Sequence, residues 1–339
     1  MANSKPSGKN VLVRFAGLRE VGILVFLVVV VAIIAIRSPV FLTLGNLHDI
    51  ALDAAILAIV AVGEMMVIIT GGIDISVGSG MGLCGMIVAL FIMNHWGVPP
   101  LVAVLLGTGI GAVLGAVNGV LVVTAKIPPI ITTLGTLSIY RGITFIINYA
   151  INGGRWVAAD KFAPAFRTFT RDTFFVVPNL ILITVIVYAV FFYFLNHTVT
   201  GRKIYAVGSN SDGARFAGIN VGRIMFLPYL LTGMLFGAGG VLWVSRYTSA
   251  QTDAAQGFEF TVITAVVIGG VKVTGGSGSI FGVLLGSILI GVINNALNLI
   301  RVSPFWKLAI NGFIILMAVI VDKYIQERVN RSLLERRKI

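Results

Sequence analysis

Charge is what this 339-residue sequence has least of. Asp, Glu, Lys and Arg make up 11% of it, under half of the roughly 25% usual in a soluble domain. Hydrophobic residues make up 57% and the mean hydropathy is +0.99, so a water-facing surface cannot be built and a soluble enzyme or binding module is excluded. There is one cysteine, Cys84, inside an apolar run. It excludes an intrachain disulfide and any cluster of paired thiolates, and a small packing residue is expected there. The three histidines, His48, His95 and His197, lie scattered at the ends of apolar runs, and no H-E-x-x-H helix exists. Gly275, Gly276 and Gly278 lie near Lys272, but no Gly-Lys-Ser/Thr comes after them, so the phosphate-cradling loop is missing. A G-x-S-x-G elbow is missing too. No enzymatic constellation remains, and the chain is expected to bind no cofactor or metal directly.

What is present is a succession of apolar runs. Several approach the roughly 20 residues that a helix needs to cross about 30 Å of hydrocarbon. The runs fall at about 21–36, 51–70, 79–95, 100–124, 131–150, 177–196, 224–245, 261–274, 280–300 and 307–322. They predict an all-α membrane protein, a polytopic bundle of about ten transmembrane helices forming one domain over 21–322. A cytoplasmic segment, 1–20, precedes it and a basic cytoplasmic tail, 323–339, comes after it. Lys5, Lys9, Arg14 and Arg19 resemble the start of a secretory signal, but Arg37-Ser-Pro stands where a cleavage site would be, so the first span is expected to be retained. With both termini inside, basic residues number sixteen inside and eight outside, as the positive-inside rule requires. The net charge of +12 therefore marks membrane flanks. Nucleic acid is excluded as a partner, since no basic soluble face exists to bind it. The outside loop at 151–176 carries Trp156, Phe162, Phe166, Phe169, Phe174 and Phe175, a pattern that fits a lid at the membrane interface or a docking site for a soluble partner.

Two stretches repeat. G-G-I-D-I-S-V-G-S-G at 71–80 and G-G-V-K-V-T-G-G-S-G at 269–278 share their opening glycine pair and closing Gly-Ser-Gly, and exchange Asp74 for Lys272. Transporters are commonly built from duplicated bundles with the path beside broken helices, so Gly71, Gly72, Asp74, Ser76, Gly78 and Lys272 are candidates for the translocation pathway or its gate. An even number of spans between the copies predicts parallel repeats, and Asp74 and Lys272 could pair. Glu64, Asp74 and Arg141 are charges within spans, each costing about 2.5–3.5 kcal/mol on insertion scales, with Asp53 and Glu259 nearer span ends. Asn118, Thr132, Thr133, Tyr140, Asn148, Asn294, Asn295, Asn298 and Asn311 could hydrogen-bond a neutral solute or hold helices together. Among them Asn118 and the group Asn294, Asn295 and Asn298 are the favoured pathway residues. Gly107, Gly111, Gly115 and Gly119 form a four-residue stripe suited to close helix packing.

The longest polar interruption is His197 to Arg223, which the topology places in the cytoplasm. Within it, Asp212-Gly213-Ala214-Arg215-Phe216-Ala217-Gly218 resembles the E-A-A-x-x-x-G coupling segment of ABC importer permeases, with Asp for Glu and Gly for the first Ala. Ser211 and Asp212 are suitable caps for a short helix over 211–218, preceded by a basic strap at Arg202 and Lys203. The run Thr198-Val-Thr-Gly-Arg-Lys-Ile-Tyr-Ala-Val-Gly-Ser-Asn210, the 71–78 stretch, P-I-I-T-T-L-G-T-L at 129–137 and Y-R-G at 140–142 extend the likeness. Together they resemble the ribose, xylose, arabinose and autoinducer-2 class of permeases, over about residues 20–322. The resemblance implies a type II importer bundle, the membrane subunit of an ATP-driven importer for a monosaccharide or similar polyhydroxylated solute across the bacterial inner membrane. It implies a cytoplasmic ABC ATPase subunit holding ATP and Mg, a second permease copy in a homo- or heterodimer, and a periplasmic solute-binding protein. Arg202, Lys203, Asp212, Gly213, Ala214, Arg215 and Gly218 would contact the ATPase. An ion-coupled secondary transporter or a passive channel are the alternatives that the residues alone leave open.

Overall fold

The computed structural model describes residues 19–303, together with 306, 309, 310, 312, 313, 316, 317 and 320. Residues 1–18, most of the expected tenth span and the tail at 323–339 lie outside the described residues. The helices are α1 (Arg19–Arg37), α2 (Leu44–Ile69), α3 (Val77–Asn94), α4 (Pro100–Val123), α5 (Pro129–Asn152), α6 (Pro164–Thr168), α7 (Asn179–His197), α8 (Val199–Ser209), α9 (Ser211–Phe216), α10 (Val221–Tyr247), α11 (Phe258–Ile268) and α12 (Ile280–Leu299). A two-stranded hairpin, β1 (Thr173–Phe174) and β2 (Val177–Pro178), lies between α6 and α7. Eight of these helices, α1 to α5, α7, α10 and α12, are long and apolar enough to cross a membrane. The eighth expected span, at about 261–274, is shorter. Gly257 (φ +77) opens α11 and Gly270 (φ +86) stops it, leaving 11 residues, about half a bilayer.

α2 also departs from expectation, since it begins at Leu44 and not near 51. The polar residues that interrupt its apolar pattern have partners on other helices: Asn46 exchanges hydrogen bonds with Asn295, and Asp49 and Asp53 face Arg246. Every residue from Ala54 to Ile69 is buried, as expected of a helix that is apolar all round. α2 is thus the centre of the bundle, contacting α7, α10, α11 and α12. α1 is peripheral and packs on α12.

Small residues set the closest approaches. Gly107, Gly111 and Gly115 on α4 meet Gly233 and Gly237 on α10, where a Cβ added on either side would run into the facing backbone. The predicted stripe on α4 therefore has a matching stripe on α10, and the two helices run antiparallel. α5 is amphipathic in the sense suited to lipid. Thr132, Thr136, Tyr140, Thr144 and Asn148, four residues apart, face inward, while Ile131, Leu134, Phe145 and Ile146 are exposed. The 151–176 segment is only partly a surface lid. Phe162 and Phe166 are buried against Met86, Leu90, Val241 and Val244, and Val157 pairs its backbone with Ala250. Trp156, Phe174 and Phe175 remain exposed.

Helix directions can be read from contacts. Gly291 of α12 packs on Ala54 of α2, and Gly286 and Gly282 of α12 pack on Ala265 of α11 and on Gly269, just beyond it. α2 and α11 therefore run the same way and α12 runs opposite to both. The two glycine breaks at the ends of α2 and α11 lie at the same end of the bundle, where the amide of Gly276 donates to the carbonyl of Ile69 at 2.9 Å. These two copies are parallel in orientation, as the even span count expects.

Candidate functional site

Three places contain the sequence candidates. The first is the 198–220 segment, which is mostly helical. Thr198 Oγ1 accepts from the Gly201 amide to cap α8, and Asn210 Oδ1 accepts from the Gly213 amide to cap α9. The cap of α9 is therefore Asn210, one residue before the expected Ser211 and Asp212, because its extended backbone (φ −161°) lets its side chain reach forward three residues. The helix ends at Phe216, and Gly218 (φ +78) turns the chain out of it. Arg202, Asp212, Gly213, Arg215 and Gly218 are exposed, Lys203 is half-buried, and Ala214 is buried and anchors the segment. Phe216 projects with 92% of its surface exposed.

α8 is seated on both glycine breaks. Gly208 lies against the carbonyl of Ile69, which a Cβ would strike, and beside the amide of Gly276 at 2.8 Å from that same Cβ position. Ser209 Oγ donates to Gly276 O at 3.3 Å, and the Tyr205 hydroxyl donates to Gly278 O at 3.1 Å. Burial raises the Tyr205 pKa above the usual phenol range. A one-glycine thickness is what lets α8 touch both breaks together. The motif containing Gly208 was visible in the sequence, but nothing local marked what the glycine faces.

The second place is a cavity of about 710 Å³ at the opposite end. It is lined by Asn294, Asn295 and Asn298 and also by Asp53, Trp243, Tyr247, Gln251, Asp253, Gln256 and Phe258. The lining loop, 249–257, is pinned in place by Arg141, whose Nη1 donates to Thr252 O and Ala254 O at 2.8 Å each. Arg246 closes the rim, donating to Asp49 at 2.7 Å and Asp53 at 3.3 Å, and the Tyr247 hydroxyl donates to Asp53 at 3.1 Å. Amides, carboxylates and the Trp243–Tyr247 ring pair, 4.7 Å apart, suit a small polar solute that has apolar C–H faces. The loop residues escaped sequence reading because they read as an ordinary connection and Arg141, which holds them, is more than a hundred positions away.

The third place has a buried centre of Asp74, Ser76, Gly78 and Asn118, with Gly71 exposed and Lys272 half-buried at its edge. Gly71, Gly72, Asp74, Ser76, Gly78, Asn118 and Lys272 do not line the cavity. Asp74 and Lys272 are not brought into an ion pair. The Asp74 carboxylate accepts from the Ser76 amide at 2.9 Å, the Ser76 hydroxyl at 2.6 Å and Asn118 Nδ2 at 3.2 Å. The Tyr140 hydroxyl donates onward to Asn118 Oδ1 at 3.2 Å. Gly72 and Gly78 are close-approach positions: side chains there would overlap the Tyr229 hydroxyl and Glu259 respectively.

Residues 46–319 match the family described as branched-chain amino acid transport system / permease component. This chain belongs to that permease family. The match begins in the first turn of α2 and takes in the cavity, both breaks and the α8–α9 segment. Among the family's relatives, the ribose import permease protein RbsC of Escherichia coli K12 is 38% identical over 95% of this chain and 99% of its own. The ribose import permease protein RbsC of Bacillus subtilis is 37% identical, covering 92% and 95%. The D-allose transport system permease protein AlsC of Escherichia coli K12 is 34% identical, covering 90% and 92%. No solved structure matches the chain. Permease family membership and eight apolar helices make this a multi-pass membrane protein.

Proposed function

We propose that this permease is the membrane-spanning subunit of an ATP-driven importer that passes a monosaccharide or similar polyhydroxylated solute across the bacterial inner membrane. The cavity faces the periplasm, where a binding protein delivers solute, and both termini and the α8–α9 segment face the cytoplasm. The domain layout is then a short N-terminal segment, a permease domain over 21–322 and a basic tail. An ABC ATPase holding ATP and Mg docks on α9 around Phe216, Asp212 and Arg215, and a second permease copy, identical or related, completes the path. The names of the ribose and allose relatives support the solute class. So does a cavity rich in amides, since a neutral sugar offers only hydroxyls to bind.

The observation that carries the mechanism is the seat of α8 against Ile69 O and Gly276 N, through Gly208. Motion imposed on the exposed α9 reaches the ends of α2 and α11 through a rigid contact, and both helices run from there to the cavity end. The glycine breaks thus act as levers, while solute contacts the Asn294, Asn295 and Asn298 side.

Proteoliposomes holding this chain alone should show no uptake of labelled ribose, allose or galactose under a proton or sodium gradient. Uptake should appear when its ATPase and binding protein are added with ATP. One observation favours an ion-coupled carrier instead, namely the buried Glu64 and Asp74 carboxylates. Gradient-driven uptake by the chain alone would establish that reading and remove the first.

A further inference from the structure

Glu64 and Asp74 lie deep in the bundle, both fully buried, and import of a neutral solute makes no use of them. The Asp74 amide donates to Glu64 Oε1 at 3.0 Å, so the two acids share one small volume. The polar groups around them are Ser76 before α3, Asn118 on α4, Tyr140 on α5 and Tyr229 on α10, with Thr133 bonded to Ile73 O, Thr232 against Gly63 and Glu259 against Gly78 close by. None of these is basic. Arg141 on α5 is engaged with the carbonyls of Thr252 and Ala254, and Lys272 makes no ion pair with either acid. Two uncompensated anions at this depth cannot both persist.

The hydrogen bonds divide the pair unequally. Asp74 receives the Ser76 amide, the Ser76 hydroxyl and the Asn118 amide, three donors that favour an ionised carboxylate. Glu64 receives one amide on Oε1, while its Oε2 and the Tyr229 hydroxyl, both buried, have no partner among the described residues. The Tyr229 hydroxyl sits against Gly72, within the turn that joins the two acids. A bare carboxylate oxygen there would carry the full desolvation cost of an anion, and protonation removes that charge. We infer that this pair is a proton-binding site, with a resident proton on Glu64 Oε2 and Asp74 as the ionised member caged by Ser76 and Asn118. The single remaining charge fixes the turn into α3, and neutral Glu64 lets the end of α2 close against it.

The proton is read on the purified chain in lipid nanodiscs, without reference to transport, by infrared spectroscopy. The wild-type minus Glu64→Gln difference should contain a carboxylic C=O band that shifts in deuterium oxide. In the assembled importer, Glu64→Gln should retain uptake within about twofold, and Asp74→Asn should lose at least tenfold, because its amide hydrogens would face the donors of Ser76 and Asn118. Thermal melting should be the same in sodium and potassium salts. A difference spectrum without that band, a Glu64→Gln chain that fails to fold while Asp74→Asn folds, or a sodium-specific rise in melting temperature would each overturn the assignment, the last in favour of a metal cation. If the chain fails to import at all, the infrared result still stands or falls by itself.

Discussion

The two glycine breaks begin alike and end differently. Each stands at the end of a helix that runs toward the α8 end, and each has a glycine at strongly positive φ near its start, Gly71 at +85 and Gly270 at +86. After the first, the chain re-enters helix at Val77. After the second, it stays irregular until Ile280. In the aligned repeat Val77 corresponds to Gly275, and Gly275 and Gly276 take φ +88 and +78, a conformation that a β-branched residue cannot adopt without strain. One side chain thus separates a tight turn around Asp74 from a longer loop that reaches across to α8. The same punctuation can build a tight turn or an open loop, and the residues beyond the glycine pair decide between them.

Exchanging the deciding residues should break that contrast, most severely in the second copy. Gly275→Val should destabilise the protein by about 2 kcal/mol from backbone strain alone. More is expected from its Cβ, 2.9 Å from Ile69 O and 3.1 Å from Gly208 O. Thermal melting in detergent micelles reads this, and an unchanged melting temperature would mean the loop does not need its left-handed turn. Val77→Gly should cost about 2 kcal/mol, through lost packing of a fully buried side chain and added backbone freedom in the first turn of α3. Lys272→Ala should fall within about 0.5 kcal/mol, since Lys272 is only half-buried and has no ion pair among the described residues. A large loss there would show that the second break has an electrostatic anchor like the first.

Much of this architecture was legible in hydropathy, because a lipid-facing helix must be apolar over its length. The start of α2 was hidden because Asn46, Asp49 and Asp53 read as a polar boundary until Asn295 and Arg246 are placed opposite them. The run at 261–274 is visibly short in the sequence, but the early stop of α11 at Ile268 was hidden for a related reason. The loop before it satisfies its backbone through Arg141, a partner with no local signature. Of the candidate site, the asparagines near 294–298 were found from helix spacing and do line the cavity. The pairing of Asp74 with Lys272 was suggested by the repeat and fails because Ser76 and Asn118 reach Asp74 first. The exposed polar face of 202–218 was correctly read as a surface, but its cap and the role of Gly208 depend on contacts with residues 69 and 276.

Work done on α9 must reach the bundle through the seat of α8 if the breaks act as levers. Gly208→Ala tests this most directly, in proteoliposomes with the partner ATPase and binding protein, by counting solute imported per ATP hydrolysed. The added methyl collides with Ile69 O and pushes α8 off both breaks. The complex should still copurify and hydrolyse ATP, with import per ATP reduced at least tenfold. Unchanged import per ATP in an intact Gly208→Ala complex would contradict the lever mechanism.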